Sequence, residues 1–193
     1  AELLKDVFPP GVLNVISDAN DLGSKISAHP RIRKVSFTGS VATGRKVAEA
    51  CGRQLIPCTL ELGGKDAMVV CADADLDRAA AGAVIGSCMN TGQYCCGTER
   101  IYVMDSVYDD FVDKVVSRTK ALKQSDHGEF DVGAIFWDRQ LEIIEAHVTD
   151  AKAKGARALV GGRRNPELKG LYYEPTVLVD VDHSMEVMRT ETF

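Results

Sequence analysis

Two adjacent cysteines, Cys95 and Cys96, sit in the stretch Asn90-Thr91-Gly92-Gln93-Tyr94-Cys95-Cys96-Gly97-Thr98-Glu99-Arg100. Glycine lies on either side, and the surroundings are polar. A structural thiol is usually packed among aliphatic side chains. A working thiol needs access, nearby backbone N–H groups and a reason to be thiolate. This stretch reads as the second kind, and the Cys95 N–H, if no ladder partner takes it, can donate to an oxyanion. Composition does not separate Cys95 from Cys96. Cys58, Cys71 and Cys88 lie in apolar runs and read as core filling, while Cys51 before Gly52 reads as a helix end.

A carboxylate is the second candidate. Glu61 stands between Leu60 and Leu62 at a strand end, followed by Gly63-Gly64-Lys65. That setting predicts a semi-buried group, and desolvation raises a carboxyl pKa toward the range of a general base. The competing reading is an ion pair with Lys65 at a turn. The third candidate is Phe37-Thr38-Gly39-Ser40-Val41-Ala42-Thr43-Gly44-Arg45-Lys46. A Gly-Ser turn between strand and helix aims N–H groups and a helix N-terminus at whatever lies above it, which suits an anion. It is neither G-x-G-x-x-G nor G-x-x-x-x-G-K-[ST], since Arg45 stands where the lysine must be. An ordinary strand–helix turn is the plainer reading.

The elements that must position these groups follow from periodicity. Residues 1–7 read as the last turns of a helix, broken at Pro9-Pro10-Gly11, and Val12–Ile16 as a buried strand. Asp18 or Asn20 can cap a helix through Leu22 and Ile26. Lys34–Thr38, a helix Val41–Cys51 with Val47, Ala48 and Ala50 inward, and strand Cys58–Leu62 continue an alternation typical of βαβ units and a parallel sheet. Strand Ala67–Cys71 precedes an Ala-rich helix to Met89, started by Asp73, Asp75 and Asp77. The helix's small residues predict close packing on both sides. Beyond the thiol stretch come strand Ile101–Met104, amphipathic helices Tyr108–Leu122 and Trp137–Lys154, strand Ala158–Val160 and extended Tyr173–Val181.

Bulk properties narrow the class. The chain has 193 residues, 45% apolar and 26% charged, which describes a globular protein with ample core. A net charge of −5 without a basic tail argues against a nucleic-acid partner. The run Ala79–Met89 is too short to span a bilayer, so no membrane segment is expected, and no export leader is visible. Six cysteines without a C-x-x-C pair point to free thiols in a reducing, cytoplasmic setting, not to a disulfide framework or a zinc site. His29, His127, His147 and His183 lack partners at ligand spacing, so no metal is expected and all four read as solvated.

Taken together, Phe8-Pro9-Pro10-Gly11-Val12-Leu13-Asn14-Val15, Phe37-Thr38-Gly39-Ser40 with Gly44, Leu60-Glu61-Leu62-Gly63-Gly64-Lys65, Gly92-Gln93-Tyr94-Cys95 with Arg100, Glu174-Pro175-Thr176-Val177-Leu178 and Glu191-Thr192-Phe193 resemble the aldehyde dehydrogenase superfamily. The match runs from end to end. It implies an α/β fold: a partial Rossmann-like parallel sheet over residues 1–62, the C-terminal part of a dinucleotide-binding domain, then a truncated α/β catalytic domain over 63–193. It implies Cys95 as nucleophile and Glu61 as general base. It implies that Thr38, Gly39, Ser40 and Gly44 line the dinucleotide, that Leu62 offers its backbone to the nicotinamide carboxamide, and that Glu191 and Phe193 touch the ribose and nicotinamide end.

The implied reaction is NAD- or NADP-dependent oxidation of a small-molecule aldehyde to a carboxylic acid, through a thiohemiacetal and then a thioester on Cys95. Glu61 argues against the relatives that transfer the acyl group to coenzyme A. The resemblance also implies a homodimer or homotetramer for the full-length protein. The chain departs from the family by lacking the oxyanion asparagine, the adenosine-ribose contacts and the closing segments, so an internal fragment is expected, inactive in isolation. Ser17-Asp18-Ala19-Asn20 stands where many members carry a glycine-richer turn near the adenine.

Overall fold

The computed structural model describes residues 2–19 and 21–193. The chain divides into two compact units, Ala1–Leu62 and Gly63–Phe193. The expected cap at Asn20 and the role of Ala1 in the opening turns lie outside the described residues.

The first unit is organised by one βαβ turn. Strand β1 (Val35–Gly39) leads through Ser40 into a helix and returns to strand β2 (Cys58–Leu62), paired parallel in register from Val35↔Cys58 to Gly39↔Leu62. Numbering helices in chain order, α1 is Leu22–Ser27 and the crossover α2 is Val41–Gln54. The N-cap residue of α1 is Asp21, not Asp18, but Asp18 still serves the helix start by accepting the N–H groups of Asp21 and Leu22 at 3.0 and 2.5 Å. Period-two alternation splits the strand pair. Val35, Phe37, Cys58, Leu60 and Leu62 are half-buried, while Ser36, Thr38, Thr59 and Glu61 are exposed. α2 buries Gly44, Val47 and Cys51, one stripe at spacings of three and four.

Val12–Ile16 corrects the expected first strand. Its apolar pattern is that of a strand buried on both faces, yet Ile16 is 67% exposed and no described strand pairs with the segment. Without a neighbour its N–H and C=O groups have no ladder. The opening is likewise shorter than expected, a single 3-10 turn over Glu2–Leu4.

The second unit contains three layers of contact. Strands β3 (Ala67–Val70) and β4 (Arg100–Val103) pair in parallel, joined through helix α3 (Leu76–Cys88). Asp75 caps α3 by accepting the N–H groups of Asp77 and Arg78, both at 3.1 Å. Helix α4 (Tyr108–Lys120) closes the main core, in which Val70, Ala80, Ala83 and Val84 meet Phe111 and Val115. One side of α3 faces solvent. Gly82 and Ile85 are exposed, but the small residues do serve two sides: Ala80, Ala83 and Val84 meet Val70 of β3 as well as Phe111 and Val115 of α4, and a Cβ at Gly86 would lie 2.8 Å from Thr98 Oγ1.

Helix α5 (Asp138–Ala153) buries Leu141, Ile144 and Val148 with Ile135 and Tyr173, and β5 (Arg157–Val160) pairs antiparallel with β6 (Val177–Val179). No helix among the described residues is long and apolar enough to cross a membrane. All six cysteines are free.

Gly161, which follows β5, sits at φ +61° with a would-be Cβ only 2.3 Å from the Pro175 carbonyl oxygen. Neither the backbone angle nor the neighbouring backbone can yield cheaply. Gly161→Ala should therefore lower unfolding free energy by about 1–3 kcal/mol, read as a reduced urea midpoint.

Candidate active site

In the first unit the sequence candidates gather at the carboxyl ends of β1 and β2, the end of a parallel sheet where ligands of α/β proteins bind. Thr38 is in register with Glu61, and Gly39 with Leu62. Ser40 caps α2: its Oγ accepts the Thr43 N–H at 3.3 Å and bonds Thr43 Oγ1 at 3.1 Å. The Gly44 N–H closes the first helical turn onto the Ser40 carbonyl at 2.9 Å. The N–H groups of Val41 and Ala42 are left outside that scheme, in exposed residues at a helix start. Gly44 itself is buried, and a Cβ there would lie 2.6 Å from Leu62 Cδ2. Glycine at this position lets helix and strand approach closely.

Glu61 departs from the expectation of semi-burial. It is exposed, because alternation along β2 sends Leu60 and Leu62 toward α2 and Glu61 to the opposite face. Lys65, named in the competing reading, pairs with Glu99 at 2.9 Å within the second unit.

In the second unit the thiol stretch is a tight reversal. Asn90, Thr91 and Gly92 take φ of +50°, +64° and +76° in succession. For β-branched Thr91 this conformation costs on the order of 1–3 kcal/mol. The strain is held by specific bonds. Thr91 Oγ1 accepts the Gly133 N–H at 3.1 Å, Gln93 Oε1 accepts the Phe136 N–H at 2.8 Å, and Asn90 Nδ2 donates to the Gln93 carbonyl at 2.8 Å. The Gly97 N–H then closes a turn onto the Tyr94 carbonyl at 3.1 Å, with Cys95 and Cys96 exposed at its two central positions. The Cys95 N–H donates no hydrogen bond among the described residues, and the bond that closes the turn leaves it outside. Tyr94 is half-buried, and its hydroxyl donates to the Gly86 carbonyl at the end of α3. It anchors the turn, and burial, followed by the neighbouring thiols, raises its pKa.

The other cysteines divide differently from the sequence reading. Cys71 is exposed, because it follows the last residue of β3 and leaves the core behind. Cys51, read as a helix end, is buried at 1% exposure. Burial, and after it the nearby Cys58, pushes the Cys51 thiol up. Burial alone pushes Cys88 up to about 11.

Glu191 and Phe193 belong to the same unit as the thiol. Glu191 lies against Gly63, where a Cβ would be 1.8 Å from its carboxylate oxygen. Burial raises its pKa first and the Glu99 charge second, while the Gly64 N–H and Lys65 oppose them. The Phe193 ring meets Phe136 edge-on at 6.4 Å. His147 corrects the reading of four solvated histidines. It sits on the inward face of α5, is buried, and shares a 3.0 Å contact with Thr192 Oγ1 through Nδ1. Its pKa is lowered by burial first and by the Lys65 charge second. Glu99, four residues after Cys95, has no motif that marks it in the sequence, because its partners Lys65, Thr192 and Phe193 are distant in the chain.

Residues 1–193 as a whole match the aldehyde dehydrogenase family. A chloroplastic aminoaldehyde dehydrogenase of Arabidopsis thaliana is 39% identical over all of this chain and 40% of its own length. A probable succinate-semialdehyde dehydrogenase [NADP(+)] of Sinorhizobium fredii is 40% identical over 96% of this chain and 38% of its own length. Among solved structures, a betaine aldehyde dehydrogenase from Staphylococcus aureus in complex with NAD+ superposes with a TM-score of 0.93 at 32% identity, over 99% of this chain and 39% of that one. The chain thus spans about two-fifths of the length of the curated relatives it matches.

Two measurements check this description. Brief iodoacetamide treatment near neutral pH, read by peptide mass spectrometry, should label Cys95, Cys96 and Cys71 well before Cys51 and Cys88; ionisation alone should slow Cys88 about a hundredfold relative to a thiol at its ordinary value. For His147 the folded value lies below the ordinary 6.5. The unfolded chain therefore binds the proton first, and stability present above about pH 6.5 is lost as pH falls. Urea unfolding should show that slope, and His147→Gln should flatten it.

Proposed function

The chain belongs to the aldehyde dehydrogenase family, and on that premise we propose that it carries the nucleophile and the base of an NAD(P)-dependent oxidation of an aldehyde to a carboxylic acid. Residues 1–62 are then the C-terminal part of a dinucleotide-binding domain, and 63–193 belong to the catalytic domain. The observation that supports this most is the Cys95 turn: an exposed thiol, an unengaged N–H on the same residue, and a strained backbone held by side-chain bonds from Thr91 and Gln93.

Cys95 attacks the aldehyde carbon as thiolate, giving a thiohemiacetal whose oxyanion its own N–H stabilises. NAD or NADP, when bound, supplies the hydride acceptor that turns this adduct into a thioester. Glu61 takes a proton from the water that hydrolyses the thioester. Its exposure gives water access, and no cation pairs with it among the described residues. The dinucleotide suits the residues present. The unengaged N–H groups at the start of α2, beside Thr38, Gly39 and Ser40, fit a pyrophosphate. Gly44 serves by letting α2 sit close to β2, Leu62 offers its backbone, and Glu191 and Phe193 would meet the ribose and nicotinamide end. Aldehydes with a charged far end, as the names of the relatives suggest, are the substrates to try first. Six free thiols suit a reducing compartment, and a homodimer or homotetramer is the assembly to look for in an enzyme of the relatives' length.

The test uses an enzyme of the relatives' length containing these residues, with betaine aldehyde and succinate semialdehyde. Cys95→Ala should abolish cofactor reduction by roughly a thousandfold or more, and Glu61→Gln should slow turnover by about 10²–10⁴ while an acyl adduct accumulates on the Cys95 peptide. Aldehyde oxidation retained by Cys95→Ala, or a strict requirement for coenzyme A, would overturn the assignment.

A further inference from the structure

Glu191, Thr192 and Phe193 belong to no helix or strand, yet their backbone is held from several directions. Glu99 Oε1 accepts the N–H groups of both Thr192 and Phe193, each at 2.8 Å. Lys65 Nζ stands 2.9 Å from Glu99 Oε2 and donates to Thr192 Oγ1 at 2.9 Å. Both side chains are withdrawn from water, Lys65 at 5% and Glu99 at 15% exposure. Oε2 faces the Lys65 ammonium and receives no peptide N–H among the described residues. Gln140 Nε2 donates to the Thr192 and Phe193 carbonyls, so the N–H and C=O groups of both residues are engaged.

A buried carboxylate is costly unless its oxygens are occupied. Here one oxygen holds two peptide N–H groups and the other faces an ammonium. The arrangement spends a charge on locating three residues of backbone, and two of the three are those assigned to the dinucleotide. Glu99 also lies in the thiol segment, and its own N–H is fixed to the Asp66 carbonyl at 3.1 Å. One side chain thereby ties the Cys95 segment to the Glu191–Phe193 segment.

We propose that Glu99 is a positioning residue: through its two backbone hydrogen bonds, and with Lys65 as its counter-charge, it sets where Glu191 and Phe193 meet the ribose and nicotinamide end of NAD(P). The cofactor half of this inference rests on the reading given under Proposed function. Glu99 touches neither substrate nor cofactor in this scheme. Its effect is on cofactor affinity and not on the chemical step. Replacing Glu99 by Gln keeps an acceptor oxygen for the two N–H groups; replacing it by Ala does not.

Amide exchange followed by NMR on the 193-residue chain tests the clamp without any cofactor. Glu99→Ala should speed exchange at Thr192 and Phe193 by about tenfold, leave Ala83 and Val84 in α3 unchanged, and be largely rescued in Glu99→Gln. Should Glu99→Ala fail to fold because Lys65 is left unpaired, the double variant Glu99→Ala/Lys65→Met removes both charges and should release the same two amides. Unchanged exchange at Thr192 and Phe193 overturns the clamp. In an enzyme of the relatives' length, Glu99→Ala should raise the KM for NAD(P) about tenfold with kcat within about twofold. Released amides with an unchanged cofactor KM overturn the cofactor half. Absence of aldehyde oxidation in the unsubstituted enzyme overturns the oxidoreductase reading and that half with it, while the exchange result alone still decides the clamp.

Discussion

The second unit depends on a backbone constraint at the end of α3. Three consecutive residues, Asn90, Thr91 and Gly92, adopt left-handed φ, and the third alone is a glycine. This reversal stops a helix whose inward face is locked into the core by Ala80, Ala83 and Val84, and it throws the chain back toward β4. The thiol turn occupies the short distance between the two. Because α3 and β4 are both fixed in the same core, the turn has little freedom. The bonds from Thr91, Gln93 and Tyr94 take up what remains. Strain of this kind persists only where surrounding structure over-determines it.

Around Glu191–Phe193 the constraint is electrostatic. Lys65 lies beside the carboxylates Glu99 and Glu191 and near the Arg100 guanidinium. Desolvation lowers the Lys65 pKa as its largest influence, with Glu99 opposing. Glu191 moves upward for the same reason, with the Glu99 charge adding to it. Neighbouring peptide N–H groups do part of the work that water would do outside, on Glu99 from Thr192 and Phe193 and on Glu191 from Gly64. Carboxylates withdrawn from water in this way are tolerable only with such donors and with the nearby cations Lys65 and Arg100.

The first unit relies on a close approach instead. Gly44 lets α2 lie directly on Leu62, and the Ser40 cap sets where the helix begins. The alternation of β1 and β2 then leaves Thr38 and Glu61 together on the exposed side. This arrangement lies within a chain that matches the aldehyde dehydrogenase family over residues 1–193 and superposes on a solved betaine aldehyde dehydrogenase with a TM-score of 0.93.

Much of this was legible from sequence because it is local. The α2 and α5 stripes, the Asp75 cap, the Asp18 bonds to the start of α1, and β1, β2, β3 and β5 follow from period and capping chemistry that a few residues encode. The order of motifs carried the family, since several moderately specific patterns at compatible spacing are jointly specific. Burial was not legible wherever it depended on a partner distant in sequence. Val12–Ile16 has a strand's composition but no described neighbour. Glu61 has leucines beside it but faces away from them. Cys71 ends an apolar run just past the core edge, and His147 turns inward because α5 presents that face. Glu99 is the plainest case: its type and position are visible in the chain, but its partners Lys65, Thr192 and Phe193 lie 34 residues before and 93 and 94 after it. Sequence determines which groups exist and which local backbone they favour. Only tertiary packing decides which of them lose water, and so which must find a partner.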